Sequence, residues 1–130
     1  MVLVDTSVWL RFLAGKAFFA QELSRLLDLN EVAGHELVYG ELLMGDHSGR
    51  LNLLDAYHQM HQASCVSQQD VVAFVRARTL NGRGVGWIDV QLLASAITGR
   101  LKFWTADTRL HAIAEKLDIA YTPRSGESIG

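Results

Sequence analysis

The chain opens on a short apolar run that is followed at once by a helical pattern. Residues 2–4 are all apolar and two of them are β-branched, which is typical of a strand buried on both faces of a parallel sheet. Asp5 ends this run. Apolar residues then recur at helical spacing over residues 8–13, and Thr6 or Ser7 is predicted to cap that helix.

Short apolar segments and helical patterns alternate along the rest of the chain. The further predicted strands cover residues 32–34, 63–66, 101–105 and 119–121. The further predicted helices cover residues 16–30, 35–45, 51–60 and 70–80, and two more begin at residues 87 and 108. This alternation implies right-handed crossovers between parallel strands. We therefore expect an α/β fold, a three-layer sandwich whose central, mostly parallel β-sheet is covered by helices on both faces.

Composition limits the class of protein. The 130 residues, 49% of them apolar, fit one domain over residues 1–130 with a single core, and no apolar run is long enough to span a bilayer. The N-terminal sequence lacks the pattern of a secretion signal, and Cys65 is the only cysteine, so we expect a cytoplasmic protein. A net charge of −2 excludes a general basic field, so a nucleic acid would have to be held locally.

Two motifs resemble ligand sites, but neither has the sequence context that such a site requires. The glycine-rich residues 81–86 superficially resemble a dinucleotide fingerprint, yet that fingerprint follows a strand and here a predicted helix precedes it. His58 and His61 are three residues apart and could share a helix face. Zinc would need a further pair of ligands at a recognisable spacing, and the sequence has none, so a zinc site is disfavoured.

Acidic residues offer a better candidate site. Asp5 and Asp107 each end a predicted strand and precede a helix, and equivalent ends of parallel strands meet at one edge of a sheet. Asp89 at a helix start and Glu41 on a largely apolar helix can reach the same edge, although capping would explain Asp89 and exposure would explain Glu41. Clustered carboxylates trap a proton or bind a cation, and oxygen ligands select Mg²⁺ or Mn²⁺.

Four segments, each containing one of these acids, carry a family resemblance: residues 4–9, 39–45, 84–89 and 104–110. In this order they resemble the motifs of PIN-domain ribonucleases of the VapC type, the toxins of bacterial VapBC toxin–antitoxin pairs. The resemblance covers nearly the whole chain and implies a single PIN-like nuclease domain.

The resemblance also implies roles for individual residues. The implied metal ligands are Asp5, Glu41, Asp89 and Asp107, which together with Thr105 form the implied catalytic set. The implied reaction is endonucleolytic cleavage of RNA, in which a water activated by Mg²⁺ or Mn²⁺ attacks the phosphate and leaves a 5′-phosphate and a 3′-hydroxyl. The residues proposed to bind substrate are Ser7, Arg11, Arg83 and Arg109.

Partners follow from the same resemblance. It implies a homodimer and inhibition by a VapB-like antitoxin whose tail enters the acidic groove, with no membrane partner. An apolar stripe around Phe18, Phe19 and Leu23 is a candidate for part of the contact surface.

Two alternatives have no nuclease activity. A receiver-like signalling domain would need an early acidic pair and a lysine after a later strand, whereas Lys102 lies at the start of a predicted strand. A non-catalytic binding domain with the same acids stays open, because a sequence does not show whether its site is complete.

Overall fold

The computed structural model describes residues 1–45 and 51–124, which form four strands and seven helices. The strands are β1 (Val2–Val4), β2 (Val32–Gly34), β3 (His61–Gln62) and β4 (Lys102–Trp104). The helices are α1 (Thr6–Leu13), α2 (Ala17–Asp28), α3 (Glu36–Met44), α4 (Leu51–Gln59), α5 (Gln68–Arg78), α6 (Trp87–Thr98) and α7 (Thr108–Lys116). None of these helices combines the length and the apolar composition that crossing a membrane requires.

The strands form one parallel sheet in the order β3-β2-β1-β4. Side chains of consecutive strand residues point to opposite faces, and all three residues of β1 are at most 5% exposed. Both faces of the sheet are therefore covered, which confirms the predicted three-layer α/β sandwich.

The pairing of β1 with β4 brings the carboxyl ends of two distant segments together. Leu3 is in register with Phe103, and the Asp5 N–H donates a hydrogen bond to the Trp104 carbonyl oxygen at 2.9 Å. Asp5 and Thr105 consequently leave the sheet side by side.

The third strand lies earlier than predicted. It consists of His61 and Gln62, and the prediction of a strand over residues 63–66 is wrong. Because β3 is an edge strand with two exposed polar residues, hydrophobicity does not mark it. Helix α4 ends at Gln59, so His58 and His61 belong to different elements and do not share a helix face.

A glycine lets β3 and α4 approach β2 closely. A Cβ built on Gly34 would lie 2.6 Å from Nε2 of Gln62 and 2.9 Å from Cε1 of Tyr57.

The predicted final strand over residues 119–121 is reduced to one parallel bridge between Phe103 and Ala120.

The stripe predicted as a contact surface belongs largely to the core. Leu23 is fully buried, Phe18 and Phe19 are partly buried against the core, and Phe19 stacks on Trp104 with ring centroids 6.1 Å apart. The prediction that Leu23 contributes to a contact surface is therefore wrong. Helical periodicity reveals an apolar face, but it does not show whether that face packs on the core or on a partner.

A polar cluster ties the C-terminal segment to α2. The buried Glu22 carboxylate accepts hydrogen bonds from the Arg25 guanidinium at 3.1 and 3.0 Å, from the Tyr121 hydroxyl and from the Arg124 N–H at 3.0 Å. The bonds from Arg25 are the main reason why the pKa of Glu22 falls from 4.5 to about 2. Burial and the same carboxylate raise the pKa of Tyr121 to about 12.

This cluster predicts how stability responds to acid. A carboxyl whose pKa is lowered by folding stabilises the fold above its ordinary pKa of 4.5, and that contribution is lost as pH falls from 4.5 toward about 2. We expect Glu22→Gln to lower the free energy of unfolding at pH 7 by up to about 3 kcal/mol and to flatten its acid dependence. Urea unfolding at pH 7, 5 and 3 measures both. The exposed Glu31→Gln serves as control, and an unchanged pH profile for Glu22→Gln would refute the role of the cluster.

A second polar network joins α3, α4 and α6. The buried His35 caps α3 by accepting a hydrogen bond from the Leu37 N–H through Nδ1 at 3.1 Å, so its proton lies on Nε2, which donates to Ser95 Oγ at 2.9 Å. The His35 N–H also donates to the Tyr57 hydroxyl at 2.8 Å. Burial lowers the pKa of His35, against the smaller opposing effect of Glu36. The ring is therefore held neutral.

Stability should fall as this histidine becomes protonated. Since the pKa of His35 is lowered in the fold, the unfolded chain takes up a proton first as pH drops below 6.5, and the fold loses free energy from there downward. We expect His35→Asn, which keeps an acceptor for the Leu37 N–H, to be less stable at pH 7.5 but to lose less stability between pH 7.5 and 5.5. Thermal unfolding across this range tests this, with the exposed His61→Asn as control. Equal slopes for His35→Asn and the wild type would contradict the assignment.

Candidate active site

Two hydroxyl groups hold the Asp5 carboxylate. Thr105 Oγ1 donates to Asp5 Oδ2 at 2.7 Å, and Ser7 Oγ donates to the same oxygen at 2.8 Å. Each hydroxyl is oriented in turn, because Ser7 Oγ accepts from the Ala106 N–H at 3.0 Å and Thr105 Oγ1 accepts from the Asp107 N–H at 3.1 Å. Asp5 itself is 6% exposed. The carboxylate is therefore fixed by residues that follow the carboxyl ends of both β1 and β4.

The hydroxyls of Thr6 and Ser7 do not cap α1, contrary to the sequence prediction. The N-cap position is Asp5, which makes no capping hydrogen bond through its side chain. Thr6 Oγ1 instead donates to Glu41 Oε1 on α3, and Ser7 Oγ donates to Asp5. A carboxylate on α3 for Thr6 and the carboxylate of Asp5 for Ser7 replace the local backbone partner, so both hydroxyls serve the acidic site.

Asp107 and Asp89 both lie at the N-terminal end of a helix. Asp107 Oδ1 accepts from the Arg109 N–H at 2.9 Å and the Leu110 N–H at 3.1 Å, which caps α7. Asp89 Oδ2 accepts from the Gly86 N–H at 2.9 Å in the first turn of α6. The capping interpretation of Asp89 is thus correct as far as one of its oxygens is concerned. A carboxylate has two oxygens, so capping and a ligand are compatible.

The electrostatics of Asp5 show which acid lies near it. The pKa of Asp5 is raised, chiefly because the carboxyl is buried; the hydrogen bonds from Thr105 and Ser7 oppose this, and the negative charge of Asp89 raises it further. Asp5 and Asp89 are therefore close enough to repel each other. A cation between them would relieve both the desolvation and the repulsion.

The four acids form pairs with neighbouring groups rather than a closed cluster. Asp5 interacts with Asp89, Glu41 with Thr6, and the backbone of Asp107 with Thr105. Across residues 1–45 and 51–124, no three acidic, histidine or cysteine side chains are placed so that they could hold a metal ion. The donor set is nonetheless made of oxygen, which suits Mg²⁺ or Mn²⁺, and ligation by all four acids stays a prediction.

The predicted substrate-binding residues lie in different settings. Arg11 Nη1 donates to the Ser7 carbonyl oxygen one turn earlier in α1 at 3.0 Å, and its guanidinium lies over the ring of Phe19. Arg109 follows Asp107 at the start of α7, whereas Arg83 lines a separate cavity. The Ser7 hydroxyl is engaged with Asp5, so what the structure shows for Ser7 is positioning of the carboxylate. Substrate binding by these four residues stays a prediction.

Sequence reasoning did not identify the buried His35–Ser95 pair, which joins the helix that carries Glu41 to the helix that carries Asp89. No local pattern marks this pair, because the two residues are 60 positions apart.

A family model described as PIN domain matches residues 2–116. The chain belongs to the PIN-domain family.

The curated relatives of this PIN domain agree with the VapC-type resemblance. Ribonuclease VapC32 of Mycobacterium tuberculosis is 39% identical over 121 residues, which cover 92% of this chain and 95% of the relative. The same protein matches equally in the strains CDC 1551 / Oshkosh and H37Rv. The assignment of the PIN domain to the VapC type is therefore confirmed.

Solved structures confirm the fold. FitAcB from Neisseria gonorrhoeae matches with a TM-score of 0.62 at 19% identity, over 92% of this chain and 95% of that one. PAE2754 from Pyrobaculum aerophilum matches with a TM-score of 0.53 at 16% identity, over 89% and 90% of the two chains. At such identities the likeness concerns the three-layer fold alone.

The contacts of Asp5 predict opposite effects of neighbouring substitutions on its titration. We expect Thr105→Val and Ser7→Ala to raise the pKa of Asp5, since each removes a hydrogen bond to the charged form, and Asp89→Asn to lower it by removing a repelling charge. Carboxyl ¹³C NMR titration of the metal-free protein measures these shifts, and Asp5→Asn assigns the signal. Shifts of the same sign in Thr105→Val and Asp89→Asn would disprove this arrangement.

Proposed function

We propose that this PIN domain is a Mg²⁺- or Mn²⁺-dependent endoribonuclease that acts as a toxin. The observation that supports this most is the Asp5 carboxylate, which Thr105 and Ser7 hold at the sheet edge within range of the charge on Asp89. The likeness to a protein named Ribonuclease VapC32 supplies the class of reaction.

The metal would be held by Asp5, Glu41, Asp89 and Asp107. When bound, the ion would supply positive charge that acidifies water and stabilises negative charge on a scissile phosphate. The burial of Asp5 and its repulsion by Asp89 support this assignment, because both effects make a cation favourable at that position.

The remaining residues of the edge would prepare the acids for that task. Hydrogen bonds from Thr105 and Ser7 favour the charged form of Asp5 and orient one of its oxygens. Thr6 orients Glu41 in the same way. Arg11, fixed by the Ser7 carbonyl oxygen, and Arg109 would bind phosphates on either side of the cleaved bond.

The proposed partners are an RNA substrate, a VapB-like antitoxin and a second copy of the chain. Exposed apolar residues support a protein interface: at the end of α3, Leu43 is 53% and Met44 is 84% exposed. The cytoplasmic location rests on the sequence argument alone.

Cleavage assays with matched aspartate variants test the proposal. We expect purified wild type to cut single-stranded RNA with Mn²⁺ or Mg²⁺ and not with EDTA, and Asp5→Asn and Asp89→Asn each to lose more than about 100-fold in rate. Asp28→Asn, at the exposed end of α2, should cleave like the wild type. Rates are measured on a 5′-labelled oligonucleotide, whose products also show whether the 3′ end is a hydroxyl.

The same assay separates this proposal from its main alternative. A non-catalytic binding domain would give no cleavage with either metal. Cleavage that is equal in the wild type and Asp5→Asn would reveal a contaminating nuclease and would refute the proposal.

A further inference from the structure

One tryptophan of this PIN domain is exposed close to the acidic edge. Trp87 is 46% exposed, whereas Trp9 and Trp104 are 1% and 2% exposed. It is the first residue of α6 and precedes Asp89 by two positions. Packing in the core therefore does not account for a tryptophan at this position. Leaving a large aromatic ring exposed to water costs free energy.

Two cavities meet at this ring. One of about 240 Å³ is lined by Val72, Val75, Arg76, Asn81 and Trp87. The other, of about 190 Å³, shares Val75, Asn81 and Trp87 and extends to Val85 and Val90. We call them together the Trp87 groove. Its walls are mainly apolar, and Asn81 offers both a hydrogen-bond donor and an acceptor.

A cationic cavity shares the lining residue Leu80 with the Trp87 groove. Its volume is about 130 Å³, and three of its six lining residues are Arg78, Arg83 and Lys116, the others being apolar. In the part of the chain that the structure describes, none of these three cations takes part in an ion pair. On a chain with a net charge of −2, this is a local concentration of positive charge.

The glycine-rich connection from α5 to α6 links these cavities to the acidic edge. Gly84 has a φ of +81°, and a Cβ built there would lie 2.5 Å from Nη1 of Arg109, so the Arg109 side chain lies against the loop. At the end of the loop, the Gly86 N–H is bonded to Asp89. The loop that carries Arg83 therefore contacts Arg109, which follows the predicted ligand Asp107, and ends at a residue bonded to Asp89.

We propose that the Trp87 groove and the cationic cavity together bind single-stranded RNA, with a base stacked on Trp87 and the backbone phosphates held by Arg78, Arg83 and Lys116. This inference rests on the proposed ribonuclease function for its choice of ligand. Bases are available for stacking only where they are unpaired, and stacking on an aromatic ring beside cations is how single strands are held.

The combination of ring and cations favours RNA over an acidic peptide. The positions of Arg78 at the end of α5 and Lys116 at the end of α7 suit the helix dipoles. That interaction explains neither Arg83, which lies outside both helices, nor an exposed tryptophan between two cavities. A nucleotide uses all of these features, because it has a flat apolar base and a charged phosphate.

Tryptophan fluorescence tests the proposal without any metal. The probe is a single-stranded RNA of about ten nucleotides, titrated into the full chain in EDTA so that binding is separated from cleavage. We expect binding to quench the emission of the wild type, and Trp87→Phe to abolish the quenching while it retains most of the affinity. Trp87→Leu should bind about 5- to 100-fold more weakly, as measured by anisotropy of labelled RNA.

The salt dependence of binding tests the cations separately. We expect Arg83→Gln with Lys116→Gln to reduce the slope of log affinity against log salt by about 1.4, since each phosphate contact on a single strand contributes about 0.7. Lys16→Gln, at the start of α2, is the matched control and should leave the slope unchanged. Circular dichroism melts confirm that each variant is folded.

Defined outcomes would overturn this proposal. Equal RNA affinity of folded Trp87→Leu and wild type would do so, and so would tighter binding of duplex than of single-stranded RNA. Quenching by an acidic peptide but not by RNA would assign the surface to a protein partner. If the protein cleaves RNA normally but binds it independently of Trp87, only this inference is wrong. If binding depends on Trp87 but no cleavage occurs, only the proposed function is wrong.

Discussion

The parallel pairing of β1 with β4 is the constraint on which the rest of the site depends. It joins residues about one hundred positions apart and ends in the hydrogen bond from the Asp5 N–H to the Trp104 carbonyl oxygen. A shift of one residue in this register would reverse the faces of all the side chains beyond it. The pairing of Leu3 with Phe103 and the bond from Asp5 to Trp104 therefore determine where Asp5 and Thr105 meet.

From that point the site extends through hydroxyl groups rather than through direct contacts between acids. Ser7 and Thr105 bond to one oxygen of Asp5, and Thr6 bonds to Glu41 on a different helix. These bonds oppose the free-energy cost of burying a carboxylate, although burial still dominates and the pKa of Asp5 is raised. The buried Asp5 carboxylate is thus held by hydroxyls, and a cation placed there would relieve the remaining cost of its burial.

Charge is divided between two sides of one connection. The glycine-rich residues between α5 and α6 lead from the cations Arg78 and Arg83 to Asp89, and the near-neutral total charge conceals this division. Because screening limits electrostatic attraction to about 10 Å at ordinary salt, such local separation matters more to a polyanionic ligand than net charge does. A protein with an acidic centre can in this way still attract a phosphate backbone.

The sequence by itself determined the order of the elements, the parallel α/β architecture and the family, because buried strands, helical periodicity and four separate acidic motifs are local features. Only the tertiary structure decided which groups meet. Strand β3 is polar and exposed at an edge, so its pairing with β2 has no hydrophobic signal. The hydroxyls of Thr6 and Ser7 could have capped α1. Thr6 instead bonds to a residue 35 positions away, and Ser7 bonds to the neighbouring Asp5 and to a residue 98 positions away. Hydrogen bonds between distant residues depend on packing, which periodicity does not encode.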